Sequence, residues 1–400
     1  MLLRRSVLGE RRYGPLVDLT LPGEDDRRRL EVRAFLEAHL EPTGRQLAEA
    51  GYVAPHWPAP WGLGADPLHQ LLIDEELRRA GVRRPDNLIG IGWAGPTILH
   101  AGTEAQKERY LMPLLAGEEI WCQLFSEPSA GSDLAGLSTR AVRDGDDYVI
   151  RGQKVWTSGA HLAQFGILIA RSDPEAPKHD GITYLICPMD SPGITIRPIV
   201  DMTGMHSFNE VFFDDVHIPV ANRVGEENRG WPLAKVTLGN ERVSLSGAGA
   251  IWGRGPTAAD LVELVRRHGG CTDPVLRQRL ARAYIDGEVL RLLRLRTVAA
   301  AVAGRPPGPE ASVRKALADA HGKEVMQLAK DLSGAAGMLA EAAPFGVADP
   351  VWPFGFLFSP ALTIGGGTAE VQRNIIAERS LGLPHEPDPD AGAPWSAAHR

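Results

Sequence analysis

Cysteine is nearly absent: three residues in 400, at Cys122, Cys187 and Cys271. Their odd number and wide spacing exclude a disulfide framework and a thiolate zinc site. Twelve histidines include no His-Glu-x-x-His pair, so no metal centre is expected. There is neither a Gly-x-Ser-x-Gly elbow nor a P-loop, which removes the usual serine-hydrolase and nucleoside-triphosphatase readings. No stretch reaches eighteen consecutive apolar residues, so no membrane span is expected. The opening Met1-Leu-Leu-Arg-Arg-Ser-Val-Leu-Gly lacks the long apolar core of a secretory leader. Excess positive charge is missing too. Lys and Arg number 43 against 50 Asp and Glu, a net charge of −7, which speaks against a grip on nucleic acid through phosphate neutralisation. Repeats and low-complexity arrays are lacking. What remains is the expectation of a soluble, cytoplasmic enzyme.

The chain is 44% hydrophobic and 23% charged, as globular proteins are. Its 400 residues exceed a single core, which predicts two or three packed layers or domains. The first part reads as helical. Residues 24–49 carry Leu30, Phe35, Leu36 and Leu40 at helical spacing, and residues 68–80 repeat that pattern before a stop at Gly81. Between them, Ala54-Pro-His-Trp-Pro-Ala-Pro-Trp-Gly-Leu-Gly reads as a rigid loop. Thr103-Glu-Ala-Gln106 resembles a capping box whose helix should end near Gly117.

From about Ile120 short apolar runs alternate with turn residues: Tyr148-Val-Ile, Phe165-Gly-Ile-Leu-Ile-Ala, Ile182-Thr-Tyr-Leu-Ile, Ile194-Thr-Ile and Val211-Phe-Phe. This predicts an antiparallel sheet or small barrel closing near Asn222. Helix returns after Gly230, with one start at Asp273-Pro274 running toward Gly304 and further helices over 312–332 and 368–381. The end of the chain, rich in Pro, Ala and Asp, reads as disordered. The fold class is α+β, with a helical domain over 1–119, an antiparallel β domain over 120–222, a helical bundle over 223–384 and a tail over 385–400.

Three stretches carry a specific resemblance. Gln123-Leu-Phe-Ser-Glu-Pro-Ser-Ala-Gly-Ser-Asp133, Gly152-Gln-Lys-Val-Trp-Thr-Ser-Gly159 and Gly365-Gly-Gly-Thr-Ala-Glu-Val-Gln-Arg-Asn-Ile-Ile-Ala-Glu-Arg379, in this order and spacing, resemble the flavin-dependent acyl-CoA dehydrogenase family. The likeness runs from roughly residue 24 to 384. Ala54-Pro-His-Trp-Pro, Trp121-Cys-Gln-Leu-Phe-Ser-Glu-Pro and Pro307-Gly-Pro-Glu-Ala-Ser are most similar to its bacterial branch, which includes enzymes for sterol side chains. The resemblance implies a C-terminal four-helix bundle, with FAD between it and the β domain. It also implies α,β-dehydrogenation of an acyl-CoA thioester. An α C–H beside a thioester is far too weak an acid for a carboxylate in water. The site must therefore polarise the carbonyl, exclude water and raise the carboxylate's basicity.

By this resemblance Gln123, Phe125, Ser126, Gly131 and Ser132 hold the flavin, and Ser132 also meets substrate. Read alone, they make an ordinary polar loop. Trp156 falls where the family covers one flavin face, with Thr157 and Ser158 beside its N5; read alone, a tryptophan is more often core. Thr368 and Glu370 match contacts to the adenosine-phosphate portion, and the glycine turn before them favours an anion. Lys330 and Gly334 occupy the segment where the family has Gln-Leu-Gly-Gly.

Many members carry the catalytic glutamate immediately before Gly-Thr in the C-terminal loop. Here that position is Gly366, which cannot take a proton but, with Gly367, keeps backbone N–H groups that could polarise the substrate carbonyl. In the isovaleryl-CoA and long-chain branches the base sits on an earlier helix, and Glu241 in Leu238-Gly-Asn-Glu-Arg-Val-Ser-Leu245 falls at that position. The resemblance thus makes Glu241 the α-proton base and Arg242 a residue orienting loop or substrate. On spacing alone, Glu-Arg is an ordinary helix-surface pair. Glu370 is the alternative base, a full turn into its helix.

The family's Arg-x-x-Phe-Gly motif, which reaches a neighbouring subunit's flavin phosphate, is absent; Arg266-Arg-His-Gly-Gly270 is the nearest stretch. Implied partners are an acyl-CoA or acyl-carrier thioester, electron transfer flavoprotein as acceptor, and other subunits of a homo- or hetero-oligomer, dimer or tetramer. Two rivals stay open. One is a desaturase or oxidase of the same fold acting on carrier-bound or secondary-metabolite substrates. The other is a non-catalytic flavin-binding subunit of a heteromeric dehydrogenase.

Overall fold

The computed structural model describes residues 22–245, 249–267, 269–302, 308–339, 350–387 and 392–398, without the side chains of 242–245 and 298–302. Asp26 opens α1 (Arg27–Ala38) by accepting the Arg28 N–H. The helix expected over 24–49 is in fact two. The chain breaks after Ala38, and Thr43 and Gln46 form a capping box that starts α2 (Gly44–Glu49) afresh just beyond Pro42. Leu40, counted on the apolar face, is exposed in that break. α3 (Pro67–Arg79) follows as expected, with Gly81 at φ 70° behind it. The buried guanidinium of Arg29 pairs with Glu75 and Glu76 at 2.6 Å each and ties α1 to α3. A π-turn over Gly90–Ala94 runs into α4 (Gly95–Ala101). The Thr103–Gln106 box opens α5 (Glu104–Ala116), which Gly117 ends in the left-handed conformation.

Every apolar run assigned to the β domain lies in a strand. β1 (Trp121–Leu124), β2 (Arg140–Asp144), β3 (Asp147–Ser158), β4 (Phe165–Arg171), β5 (Ile182–Pro188), β6 (Ile194–Ile199) and β7 (Phe208–Pro219) form one sheet. Its order is β1-β4-β2-β3-β7-β6, with β5 on the other side of β4. The sheet is mixed, not antiparallel: β1 runs parallel to β4, Trp121 opposite Phe165 through Leu124 opposite Leu168, and β2 meets β4 in the same sense. Alternation along a strand encodes which face is buried, not the direction of its neighbour, so the sequence was silent here. β4 and β5 are buried on both faces and therefore read as continuous apolar runs. On one face Leu168, Leu185, Tyr148 and Phe213 pack together. On the other, Ile167, Tyr184 and Ile186 share a core with the N-terminal helices and with Leu233 and Ala234.

The C-terminal part comprises α6 (Gly230–Leu245), α7 (Ala258–Arg267), α8 (Pro274–Val302), α9 (Glu310–Leu332), α10 (Val351–Phe358) and α11 (Ala369–Ile375). Asp273 caps α8 through the N–H groups of Val275 and Leu276; its expected stop at Gly304 lies outside the described residues. The segment read as a disordered tail carries a short helix, α12 (Trp395–Ala398), lying on the β domain. Proline and alanine hid a docked tryptophan. Among the described residues no helix is long and apolar enough to cross a membrane.

Candidate active site

α6 enters the shared core with Leu233, Ala234 and Thr237 on its inner face. Fully buried Thr237 sits in a hydroxyl network: 2.8 Å from Thr97 on α4 and 3.0 Å from the Tyr184 hydroxyl on β5. Burial raises the Tyr184 pKa, so the phenol stays neutral and serves as a hydrogen-bonding group. One turn further along the same helix face stands Glu241, only 7% exposed. The Gln123 amide on β1 approaches its carboxylate, Nε2 to Oε2 3.5 Å. The structure therefore brings together one residue of the first motif and the acid from the earlier helix, and places that acid indoors.

The loop after β1 is anchored from below. Lys154 on β3 is completely buried and donates to the Phe125 carbonyl at 3.0 Å and to Glu127 at 2.8 Å. Glu127 also accepts from Ser138 N, Ser138 Oγ and Thr139 N. Burial alone would raise the Glu127 pKa, but the Lys154 ammonium and these donors outweigh it and hold it at about 2. Both residues lie within the quoted motifs, yet nothing in the sequence marked them as a pair. Gly131 and Ser132 stand exposed on the loop they support, and Ser126 is half-buried at its start.

Trp156 is 58% exposed and sits at φ 59°, where β3 slips register against β7 between Lys154 and Thr157. It is no core tryptophan. Its ring meets Phe208 edge-on at 5.9 Å; Phe208 stacks toward Phe358 on α10 at 6.5 Å, and Phe358 meets Trp252 at 5.0 Å. Trp252 in turn lies against the glycine turn, since a Cβ on Gly365 would come within 2.6 Å of its ring. This aromatic run joins the second motif to the third, and Phe208, Phe358 and Trp252 had no signal in the sequence.

Gly366 and Gly367 take φ 69° and 88°, a conformation that favours glycine. Completely buried Gln372 clasps the turn by donating to both carbonyls, at 3.1 and 3.2 Å. Thr368 caps α11 by accepting the Val371 N–H. Glu370 sits on the exposed side of α11, 3.4 Å from Arg373, its carboxyl held low by hydrogen bonds from its own backbone N–H and from Thr368. That setting offers nothing to a proton-abstracting role. The Lys330 ammonium lies 5.1 Å over the Phe356 ring, and Gly334 opens an exposed turn. The side chain of Arg242 lies outside the described residues. Among those residues no group of three or more metal-ligating side chains occurs.

Sequence models of the acyl-CoA dehydrogenase N-terminal, middle and C-terminal domains match residues 24–118, 122–216 and 228–381. The chain belongs to the acyl-CoA dehydrogenase family. It is 40% identical to acyl-CoA dehydrogenase IpdE1 of Mycobacterium tuberculosis over 96% of both chains. It is 45% identical to acyl-CoA dehydrogenase FadE34 of the same species over 84% of its own length, but spans only 45% of that relative. Among solved structures, the Tcur3481-Tcur3483 steroid ACAD matches with a TM-score of 0.77 and 33% identity, over 92% of this chain and all of that one. The ChsE4-ChsE5 complex from Mycobacterium tuberculosis matches with a TM-score of 0.75 and 32% identity, again over 92% and all.

The residues of this acyl-CoA dehydrogenase fit the flavin that the family implies. Buried polar atoms without a described partner flank the aromatic run: Thr157 Oγ1 beside Trp156, Asn209 Oδ1 beside Phe208, and Gln372 Oε1 at the glycine turn. Such atoms are uncommon in folded proteins and mark places where a polar group is due. With the Trp156 face, the Ser126, Ser132 and Ser158 hydroxyls and a turn of bare backbone, they suit a flat ring carrying a polyol and phosphates.

Proposed function

We propose that Glu241 removes the α-proton of an acyl-CoA thioester, giving the trans-2-enoyl product. The observation that carries this reading is the burial of Glu241 on α6 beside Gln123, while the family's other base position is Gly366. Bound FAD supplies the acceptor for the β-hydrogen and its electron pair. Everything else falls to the chain. Burial of Glu241 keeps bulk water away from its carboxylate. The Gln123 amide orients the carboxylate. In this reading the backbone N–H groups of Gly366 and Gly367 donate to the thioester carbonyl, where negative charge grows as the proton leaves. Trp156 walls the ring site; Ser126, Ser132 and Ser158 hold its polar edge, with Phe125 and Thr157 behind them. Lys330, Gly334, Thr368 and Glu370 are assigned to the adenosine end, and Arg242 to substrate orientation.

Likeness to a steroid ACAD supports a steroid-derived acyl group, and likeness to the two-component Tcur3481-Tcur3483 and ChsE4-ChsE5 proteins supports a hetero-oligomer. Electron transfer flavoprotein is taken as the electron acceptor. Glu241→Gln tests the central claim. Purified with its partner subunit, the variant should keep a flavin spectrum while kcat falls by about 10²–10⁴-fold. Turnover at the wild-type rate would remove Glu241 from the reaction. Anaerobic bleaching by a steroid side-chain CoA, but not by a straight-chain one, is the outcome expected for the substrate.

A further inference from the structure

We propose that Trp395, in the C-terminal tail, is a positioning residue for the loop that carries Gly131 and Ser132, acting through Arg171. α12 is fastened to the β domain by its backbone: Trp395 N–H donates to the Ala176 carbonyl and Ser396 N–H to the Pro174 carbonyl, both at 2.9 Å, and Pro394 bridges to Pro177. These contacts set the indole over the Arg171 guanidinium, 4.9 Å from Cζ to the ring centroid.

Arg171, at the end of β4, is 2% exposed and forms no ion pair among the described residues. Carbonyls hold it instead. Nη2 donates to Ala135 at 2.7 Å and to Lys178 at 3.1 Å; Nη1 donates to Asp180 at 2.7 Å and also to Lys178. Ala135 belongs to the single turn Leu134–Gly136, which directly follows Gly131-Ser132-Asp133. Lys178 returns to the same loop through its ion pair with Asp133 at 2.5 Å. One cation thus fastens the 131–136 loop to the 173–181 loop, and the tail supplies the aromatic face that covers it. Burial drives the Arg171 pKa down to about 10, as expected of a cation kept from water without a carboxylate in contact. An arginine in that state is sensitive to the loss of its aromatic cover.

The assignment of Ser132 to the ring site rests on the proposed function; the clasp itself does not. The test therefore uses two readouts on the full chain: wild type, Trp395→Ala, Trp395→Phe, and a chain ending at Pro387. Hydrogen exchange without added FAD reports the loop alone. FAD affinity, and KM against kcat in the active assembly, report the site. In Trp395→Ala and the shortened chain, exchange over 131–136 and 173–181 should rise about fivefold or more. FAD or substrate binding should weaken by a similar factor with kcat within about twofold, while Trp395→Phe stays near wild type. Exchange over 131–136 unchanged in both the Ala variant and the shortened chain overturns the clasp, as does a rise confined to the tail. A wild-type chain that binds no FAD overturns the function instead and leaves the exchange result to judge Trp395.

Discussion

A buried lysine–carboxylate pair lies beneath each of two loops, and the two pairs are in different electrostatic states. Under the β-domain loop, Glu127 receives Lys154 and three further donors, and its pKa falls to about 2. Under the 359–363 turn, Asp319 on α9 receives Lys315 at 2.7 Å and nothing else among the described residues, and burial pushes it up to about 6. Lys315 divides its attention, reaching the Leu362 carbonyl at 3.4 Å. Both pairs are under 5% exposed, so burial does not separate them. The count of donors does. A buried carboxylate stays charged when its remaining lone pairs are filled, not merely when a cation stands nearby.

The largest effect should come from breaking the better-satisfied pair. Lys154→Met leaves a deeply committed carboxylate without its cation and should cost about 3–5 kcal/mol in urea unfolding. Lys315→Met should cost less, because Asp319 can take up a proton; equal losses would erase the distinction drawn here.

The same contrast predicts opposite acid and neutral limbs. Glu127 has a lowered folded pKa, so its contribution is full above its ordinary 4.5 and is lost as pH falls through 2, about 3 kcal/mol in all. Asp319 has a raised one, so its contribution is full below 3.8 and disappears as pH rises through 6, again about 3 kcal/mol. Thermal unfolding against pH should lose the first limb in Glu127→Gln and the second in Asp319→Asn.

An uncharged network should matter less. Thr237→Val strips partners from Thr97 and Tyr184 and should cost about 1–3 kcal/mol. Lying one turn from Glu241, it should lower kcat more than it raises KM.

Much of this was legible in the sequence for identifiable reasons. The capping box at Thr103 and the Asp273 cap before Pro274 are local, so their helices began where expected. The single helix expected over 24–49 fails because Thr43–Gln46 is a second capping box, which starts a new helix behind Pro42. Sheet direction was illegible because β1 and β4 meet across more than forty residues of intervening chain. Within the site, the motif residues were legible as candidates, and Glu241, which the structure buries beside Gln123, was legible through the vacancy at Gly366. Phe208, Phe358 and Trp252 were not, since their proximity is made by tertiary packing between separate domains. The tail was misread because composition argues about averages, and one tryptophan decided its fate.

The left-handed backbone at Gly366 also bears on how this protein could change over evolutionary time. A glutamate restored there would have to adopt a conformation costing roughly 1–2 kcal/mol for any residue with a Cβ, on a turn whose carbonyls Gln372 already grips. On the reading proposed above, with Glu241 on α6 as the base, an acid at 366 would have to absorb that strain before it could serve. Position 366 is therefore expected to stay small for as long as the acid on α6 serves.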